Sequence, residues 1–234
     1  MAGQDISIKT DTGESFVGYL SLPASGQGPG VVVIQEIFGV NKVMRDIADT
    51  YAAQGYVALC PDLFWRIEPG ISITDQTEAE WKQAFDLFQK FDVPAGVKDI
   101  QATISHLRKQ SACTGKVGAV GFCLGGLLAY LSATRTDSDA SVGYYGVGIE
   151  SKLDEAAKIS RPLMLHIAGE DEYCGKEAQA QIHAGLDSHS RVTLHDYPGM
   201  NHAFARNGGA HYDSAAATLA NKRTGDFFSA HLSA

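Results

Sequence analysis

Short apolar runs alternate with amphipathic segments along this chain, and that alternation limits its fold more than any other feature of the sequence. The β-branched run PGVVVIQE at 29–36 is typical of a central parallel strand that is covered on both faces. The segment 43–54 has apolar residues at helical spacing and ends at Gly55, a suitable C-cap. A second buried strand at 56–63 is stopped by Pro61. Strands that alternate with helices in this way predict right-handed β-α-β units and a mostly parallel sheet.

The same alternation continues to the end of the chain, without an internal repeat or a long linker. The segment 13–23 alternates apolar and polar residues, which predicts a half-buried edge strand. Further strands are predicted at 116–122, 140–147, 161–170 and 191–199. Further helices are predicted at 77–92, at 95–110, just after Gly126, at 176–186 and at 215–232. We therefore predict an α/β fold: one open, doubly wound, mostly parallel sheet in a single domain, 1–234.

Charge and composition narrow the classes of function. The net charge of −8 argues against a nucleic-acid partner, because phosphate-backbone binding needs clustered Lys and Arg side chains. The N-terminal segment lacks the apolar core of a signal peptide, and no stretch approaches roughly 18 apolar residues, so we expect a cytoplasmic protein without a membrane partner. The cysteines are widely spaced and form no CxxC pair, so no metal site or redox motif is indicated.

Four reactive side chains follow directly after predicted strands. They are Glu36, Cys123, Asp171 and His202. In open α/β sheets, ligands bind outside the carboxyl ends of the strands, so these positions carry the most weight. Cysteine, aspartate and histidine also follow the chain order nucleophile, acid, base that α/β-hydrolases use. The sequence does not separate Asp171 from Glu170 or Glu172 as the acid.

The stretch GFCLGG at 121–126 has the pattern G-x-C-x-G, which resembles the G-x-S-x-G turn that carries a serine nucleophile. Small flanking residues permit a tight strand-to-helix turn with a strained backbone at the nucleophile. We expect the helix to start at Cys123, so that its dipole favours negative charge on the sulfur. A structural cysteine in a glycine-rich strand end is the alternative. His202 lies in a loop beyond the last strand, whereas His166 and His195 lie within strands and are assigned structural roles.

Six sequence blocks together resemble the dienelactone hydrolase family (carboxymethylenebutenolidases) essentially from end to end. They are QEIFGVN (35–41), GYVALCPDL (55–63), VGFCLGG (120–126), VGYYGVG (142–148), GEDEY (169–173) and NHAFAR (201–206). The resemblance implies an α/β-hydrolase that opens a dienelactone, an unsaturated five-membered enol lactone, to maleylacetate during catabolism of (chloro)aromatic compounds. It also implies a triad of Cys123, Asp171 and His202, with no metal or organic cofactor. Backbone N–H groups of Ile37 and Leu124 are expected to form the oxyanion hole.

Glu36 has two interpretations. A carboxylate at the floor of the site is costly unless it is paired, so a structural ion pair, for instance with Arg206, is one of them. The resemblance implies the other: substrate binding shifts Glu36 so that it takes the proton of the Cys123 thiol. Cys123 would then not be a permanent thiolate, which would protect it from oxidation.

The chain departs from the family pattern on the predicted helix that includes 78–91. The family has an arginine where this chain has Trp81, and a tyrosine where it has Phe85. In the family, that arginine and the one matching Arg206 hold the substrate's carboxylate, so here either Arg206 holds it alone or the preferred lactone differs. Simple packing is the alternative role for Trp81. Phe38 and Tyr145, which lie within the matching blocks, are also assigned to substrate binding.

We therefore expect a monomeric, cofactor-independent hydrolase whose partner is a small substrate that carries a carboxylate. A thiol suffices as nucleophile because the enolate of an enol lactone leaves readily. The nearest alternative is a carboxylesterase or thioesterase of broader specificity on the same scaffold. A non-enzymatic binder or a thiol redox sensor are alternatives from other classes.

Overall fold

Eight strands form one sheet in the computed structural model, which describes residues 3–233. The strands are β1 (Gln4–Lys9), β2 (Ser15–Ser21), β3 (Gly28–Ile34), β4 (Val57–Pro61), β5 (Cys113–Phe122), β6 (Ala140–Tyr144), β7 (Leu163–Ala168) and β8 (Val192–Tyr197). The α-helices are α1 (Lys42–Ala53), α2 (Glu78–Lys90), α3 (Val93–Lys109), α4 (Leu124–Arg135), α5 (Lys176–Leu186) and α6 (Ser214–Leu232). A 3₁₀ helix spans Ile149–Lys158.

The strands lie in the order β1-β2-β4-β3-β5-β6-β7-β8. In this order, neighbouring strands from β4 and β3 onward to β8 are parallel to each other. β1 pairs with β2, and β2 pairs with β4, in the antiparallel orientation. The predicted mostly parallel α/β sheet is confirmed. The strand order reverses at β3 and β5, because β4 lies on one side of β3 and all later strands lie on the other. The carboxyl ends of β3 and β5 therefore flank the crevice in which such folds bind ligands.

The prediction that 13–23 forms the edge strand is wrong. That segment contains β2, which lies one position inside the sheet, and the unpredicted β1 forms the edge. β1 has the sequence QDISIK, in which only Ile6 and Ile8 are apolar and only Ile8 is fully buried. An edge strand with one covered face needs few apolar residues, so its periodicity is weak.

Helices cover both faces of the sheet. α1 and α6 meet through Tyr51 and Phe228, whose ring centroids are 6.0 Å apart, while α3 packs against α4. α4 is apolar on all sides and is buried from Leu124 through Ala133, as expected of a helix enclosed by the core. Each predicted helix is present. The 3₁₀ helix was not predicted, and it packs against α4 and α5.

Within residues 3–233, the structure has no helix with the length and apolar character needed to cross a membrane.

Candidate active site

Cys123 lies at the turn between β5 and α4, on a strained backbone. Its φ of 57° and ψ of −114° are unusual for a residue with a side chain. A Cβ atom on Gly121 would lie 1.9 Å from the carbonyl oxygen of Gly125, so the turn admits no larger residue there. The sequence analysis expects the helix to start at Cys123, but α4 begins at Leu124 and Cys123 is its N-cap. Cys123 therefore lies at the N-terminus of α4, where the helix dipole favours negative charge.

Asp171 and His202 are joined by hydrogen bonds beyond the ends of β7 and β8. The Nδ1 atom of His202 lies 3.0 Å from Oδ1 and 2.9 Å from Oδ2 of Asp171, and both side chains are buried. Asp171 also accepts hydrogen bonds from the backbone N–H groups of Tyr173 and Cys174, at 2.9 and 3.2 Å. These bonds fix the carboxylate and leave the opposite ring nitrogen of His202 for chemistry.

The neighbouring acids have other contacts. Glu170 forms an ion pair with Lys176 at 2.8 Å, and Glu172 lies 3.9 Å from Nδ1 of His211. Of the three candidate acids, Asp171 is therefore the one that the structure brings to His202.

The Nε2 atom of His202 is buried and has no hydrogen-bond partner among residues 3–233. Its ring contacts Tyr145 and Tyr173 edge-on, with centroids 5.1 and 4.9 Å away. Burial opposes the charged imidazolium, but Cys123 and Asp171 together outweigh it and raise the pKa of His202 to about 10. His202 and Cys123 line the same pocket, and the charge of Cys123 is the largest of the contributions that raise the pKa of His202.

The two histidines assigned structural roles lie elsewhere. His166 is buried, with Nδ1 2.8 Å from the Tyr197 hydroxyl and Nε2 2.9 Å from the Thr224 hydroxyl. Burial, with the neighbouring His195, lowers its pKa well below the ordinary value, so it stays neutral. His195 stacks on His166 with a centroid distance of 5.8 Å.

The two expected oxyanion donors flank the cysteine turn. Leu124 follows Cys123 directly, and Ile37 lies in the loop after β3 and lines the pocket. Neither backbone N–H group donates a hydrogen bond to another backbone group within the described part of the chain. Both are therefore available to an oxygen bound in the pocket.

Glu36 and Arg206 form a buried, two-pronged ion pair at the floor of the site. The Nε and Nη2 atoms of Arg206 donate to the two carboxylate oxygens of Glu36, at 2.8 and 3.0 Å. The Nη1 atom of Arg206 donates to Oδ2 of Asp75 at 2.8 Å. Burial alone would lower the pKa of Arg206, but Glu36, with a smaller contribution from Asp75, raises it above its ordinary value. The guanidinium charge is thus shared between two carboxylates.

Aromatic side chains form the opposite side of the pocket. The rings of Trp81 and Phe85 are stacked at 5.6 Å, and Phe38 contacts Trp81 edge-on at 5.0 Å. The indole Nε1 of Trp81 donates to the backbone oxygen of Asp75 at 2.9 Å, so Trp81 both packs and anchors the loop before α2. Tyr145 is buried behind His202 with a φ of 38°.

The sequence analysis missed several pocket residues. These are Phe88, Val147 and Tyr173, which line the pocket, and Asp75, which binds the pocket residue Arg206. No local pattern identifies Asp75, because it is 131 positions from Arg206. Phe88 could have been found, since it lies two helical turns from Trp81 on the same helix. Within residues 3–233, no cluster of three or more His, Cys, Asp or Glu side chains could hold a metal ion.

Comparisons with known proteins agree on one family. The model of the dienelactone hydrolase family matches residues 16–232. A relative from Azospirillum brasilense is 48% identical, over 97% of this chain and 99% of its own length. The carboxymethylenebutenolidase of Pseudomonas putida is 40% identical, over 97% of this chain and 96% of its own. A solved structure from Klebsiella pneumoniae has the same fold, with a TM-score of 0.84 at 24% identity, and covers 97% of this chain and 98% of that one.

Proposed function

The chain belongs to the dienelactone hydrolase family, and on that premise we propose that it hydrolyses small unsaturated lactones through Cys123 as nucleophile. The dienelactone that gives maleylacetate in (chloro)aromatic catabolism is the reference substrate. One observation carries the proposal: Cys123 lies on a strained helix-opening turn and shares a pocket with His202, which Asp171 orients. Strain at a nucleophile and an oriented base are what covalent acyl transfer requires.

In the first step, the sulfur of Cys123 bonds to the lactone carbonyl carbon and the ring C–O bond breaks. The product is a thioester, and the ring oxygen leaves as an enolate. The N–H groups of Ile37 and Leu124 stabilise the oxyanion of the tetrahedral intermediate. An enolate is a good leaving group, so a thiol suffices for ring opening.

In the second step, water attacks the thioester. The thioester sulfur carries no charge, so the contribution of Cys123 to the raised pKa of His202 is lost at this stage. Nε2 of His202 takes the proton from that water, and Asp171 stabilises the imidazolium that forms. Sulfur then leaves as a thiolate and takes that proton back from His202, while the enolate released in the first step takes up the proton that the thiol lost before the attack. The cycle consumes substrate and water alone.

Two groups could receive the thiol proton before the first attack. His202 is one, because it is electrostatically coupled to Cys123. Glu36 is the other, as the family resemblance implies. Both Glu36 oxygens accept hydrogen bonds from Arg206, so Glu36 would first have to exchange that contact for the thiol.

A carboxylesterase of broader specificity is the second candidate. The observation that favours it is the aromatic side of the pocket, where Trp81 and Phe85 stack and offer an apolar surface rather than a cation. Such a surface accepts many uncharged acyl or alcohol groups.

The test is to follow the ultraviolet absorbance of cis- and trans-dienelactone on mixing with the protein, with p-nitrophenyl acetate measured in parallel. Faster loss of either lactone than of the ester supports the dienelactone hydrolase. Hydrolysis of the ester alone would move the assignment to the second candidate. If none of the three substrates is hydrolysed above the rate of the Cys123→Ala protein, the proposed function is wrong.

A further inference from the structure

Arg206 is the one lysine or arginine side chain among the described residues that line the pocket. The other positive group of the pocket, the His202 imidazolium, is neutralised by Asp171, so a substrate carboxylate entering there would depend on Arg206 for positive charge. Its side chain is 8% exposed, and three of its N–H groups already bind carboxylate oxygens of Glu36 and Asp75. Two carboxylates against one guanidinium leave a net negative charge at the floor of the pocket. A third anion placed there would be repelled by that charge.

Asp75 keeps its place independently of Glu36. Glu80 accepts hydrogen bonds from the N–H and the hydroxyl of Thr74, both at 2.9 Å, and from the hydroxyl of Thr77 at 2.7 Å. The indole of Trp81 binds the Asp75 carbonyl from the other side. These bonds brace the segment before α2, so Arg206 would retain Asp75 as a partner even if Glu36 moved toward Cys123.

Asp75 is ionised in this position, as its contact with Arg206 requires. Burial would raise its pKa, but hydrogen bonds from Gln76 and Arg206 outweigh burial and lower it. Asp75 therefore stays ionised at neutral pH and neutralises part of the Arg206 charge.

The mouth of the pocket is apolar. Phe85 and Phe88 line it and are 39% and 38% exposed, next to the stacked ring of Trp81. A cluster of exposed aromatic rings beside a pocket is typical of a surface that binds apolar material. The mouth and the floor thus both favour an uncharged substrate.

We propose that this pocket selects uncharged lactones and esters over carboxylate-bearing ones, and that Asp75 is the specificity-determining residue that acts through Arg206. The proposal rests on the proposed function and names the substrate class of the same site. Asp75 is a positioning residue, because its effect on the substrate passes through the guanidinium.

The experiment compares two substrates that differ only in charge: the dienelactone, and its analogue in which hydrogen replaces the exocyclic carboxylate. The ratio of kcat/KM for the uncharged analogue to kcat/KM for the dienelactone is measured by ultraviolet absorbance. We expect a ratio of about ten or more in the wild-type protein, since like charges a few Å apart in a partly buried site cost at least a factor of ten in binding. A wild-type ratio below one overturns the proposal.

The variant Asp75→Asn removes the negative charge and keeps the side-chain shape. We expect it to lower the ratio by roughly tenfold, mainly through a lower KM for the dienelactone. Asp75→Glu keeps the charge and should keep the wild-type ratio within about threefold. Glu78→Gln, at an exposed position of α2, removes one charge without touching Arg206 and should leave the ratio unchanged.

An unchanged ratio in Asp75→Asn, or an equal shift in Glu78→Gln, assigns the preference to something other than Asp75 and overturns the proposal. If Asp75→Asn does not fold, the wild-type ratio still tests the preference for the uncharged substrate. The ratio in Asp75→Glu still tests whether a carboxylate at position 75 maintains that preference. Failure of the wild-type protein to open either substrate overturns the proposed function together with this proposal. Turnover of both substrates with a preference for the charged one overturns this proposal alone.

Discussion

The two sides of the pocket are built in different ways. The reaction side, consisting of Cys123, Asp171 and His202, is set by the turn after β5 and the loops after β7 and β8. Strained backbone angles and hydrogen bonds from nearby N–H groups fix it. The recognition side consists of Asp75, Trp81, Phe85 and Arg206, and side-chain contacts from loops and α2 hold it together.

This difference separates chemistry from specificity. The backbone determines where the reaction side lies, so substitutions there should slow every substrate alike. Side chains of the recognition side can change without disturbing the turn, so substitutions there should alter the preference among substrates or the stability of the site. The predictions below test that separation.

The largest effect is expected for Cys123→Ala. Loss of the covalent step should lower kcat by at least about 10⁴-fold for charged and uncharged substrates alike. The fold should be retained, which near-ultraviolet circular dichroism and Tm would check. Appreciable turnover of only one substrate class would mean that chemistry and specificity are not separate at this residue.

His202→Ala should lower kcat for both substrate classes by roughly 10²–10⁴-fold, because no base activates the deacylating water. His183→Gln is the matched control, since His183 binds Asp187 and Asp196 on the surface, away from the pocket. Comparable losses in both variants would show that imidazole removal acts through stability. Multiple turnover at the normal rate in His202→Ala would reassign the base.

Arg206→Ala should destabilise the protein by about 3–5 kcal/mol, because Glu36 and Asp75 would be left as buried carboxylates without a cation. Urea unfolding measures this change. Arg45→Ala is the control, since Arg45 pairs with Asp5 on the surface, and it should cost less than about 1 kcal/mol. We expect Arg206→Ala to slow the charged substrate more than the uncharged one, because Glu36 and Asp75 would repel a substrate carboxylate with no guanidinium to offset them; equal slowing of both would show that the charge at the floor does not act on the substrate.

The smallest effect concerns pH and tests the reaction side alone. The pKa of His202 is about 10 in the folded protein, above the ordinary value of 6.5. A raised pKa contributes stability that is fully present below about pH 6.5 and is lost as the pH rises toward 10. The free energy of unfolding should therefore fall over that window by an amount on the order of 1–3 kcal/mol more in the wild type than in His202→Gln. Parallel pH curves for the two proteins would contradict the raised pKa.

Much of the fold follows from the sequence because the central strands are covered on both faces. Runs such as that of β3 are continuously apolar, and the Gly121 and Gly125 positions of the cysteine turn admit no larger side chain. β1 was not predicted, because one of its faces is exposed and only two of its residues, Ile6 and Ile8, are apolar.

In the site, too, features that depend on local sequence could be predicted, and contacts between distant segments could not. Cys123, Asp171 and His202 could be named as candidates because each one lies shortly after a strand, a local feature, although the residues alone did not separate Asp171 from Glu170 or Glu172. The contact of Asp75 with Arg206 could not be predicted, since it joins two loops whose approach depends on the packing of α2 against the rest of the fold. The ion pair of Arg206 with Glu36 was one of the two interpretations of Glu36, and the structure contains it. Arg206 was also expected to hold a substrate carboxylate, and its second acidic partner, Asp75, was not anticipated.

The central claim is that Cys123 forms a covalent acyl intermediate, and peptide mapping tests it most directly. The wild-type protein is mixed with p-nitrophenyl acetate, quenched in acid within the first turnover, digested and analysed by mass spectrometry. The account predicts one acetyl group, on the peptide that contains Cys123, and no such label in Cys123→Ala. Steady-state turnover without any label on Cys123, or equal labelling in Cys123→Ala, would contradict it.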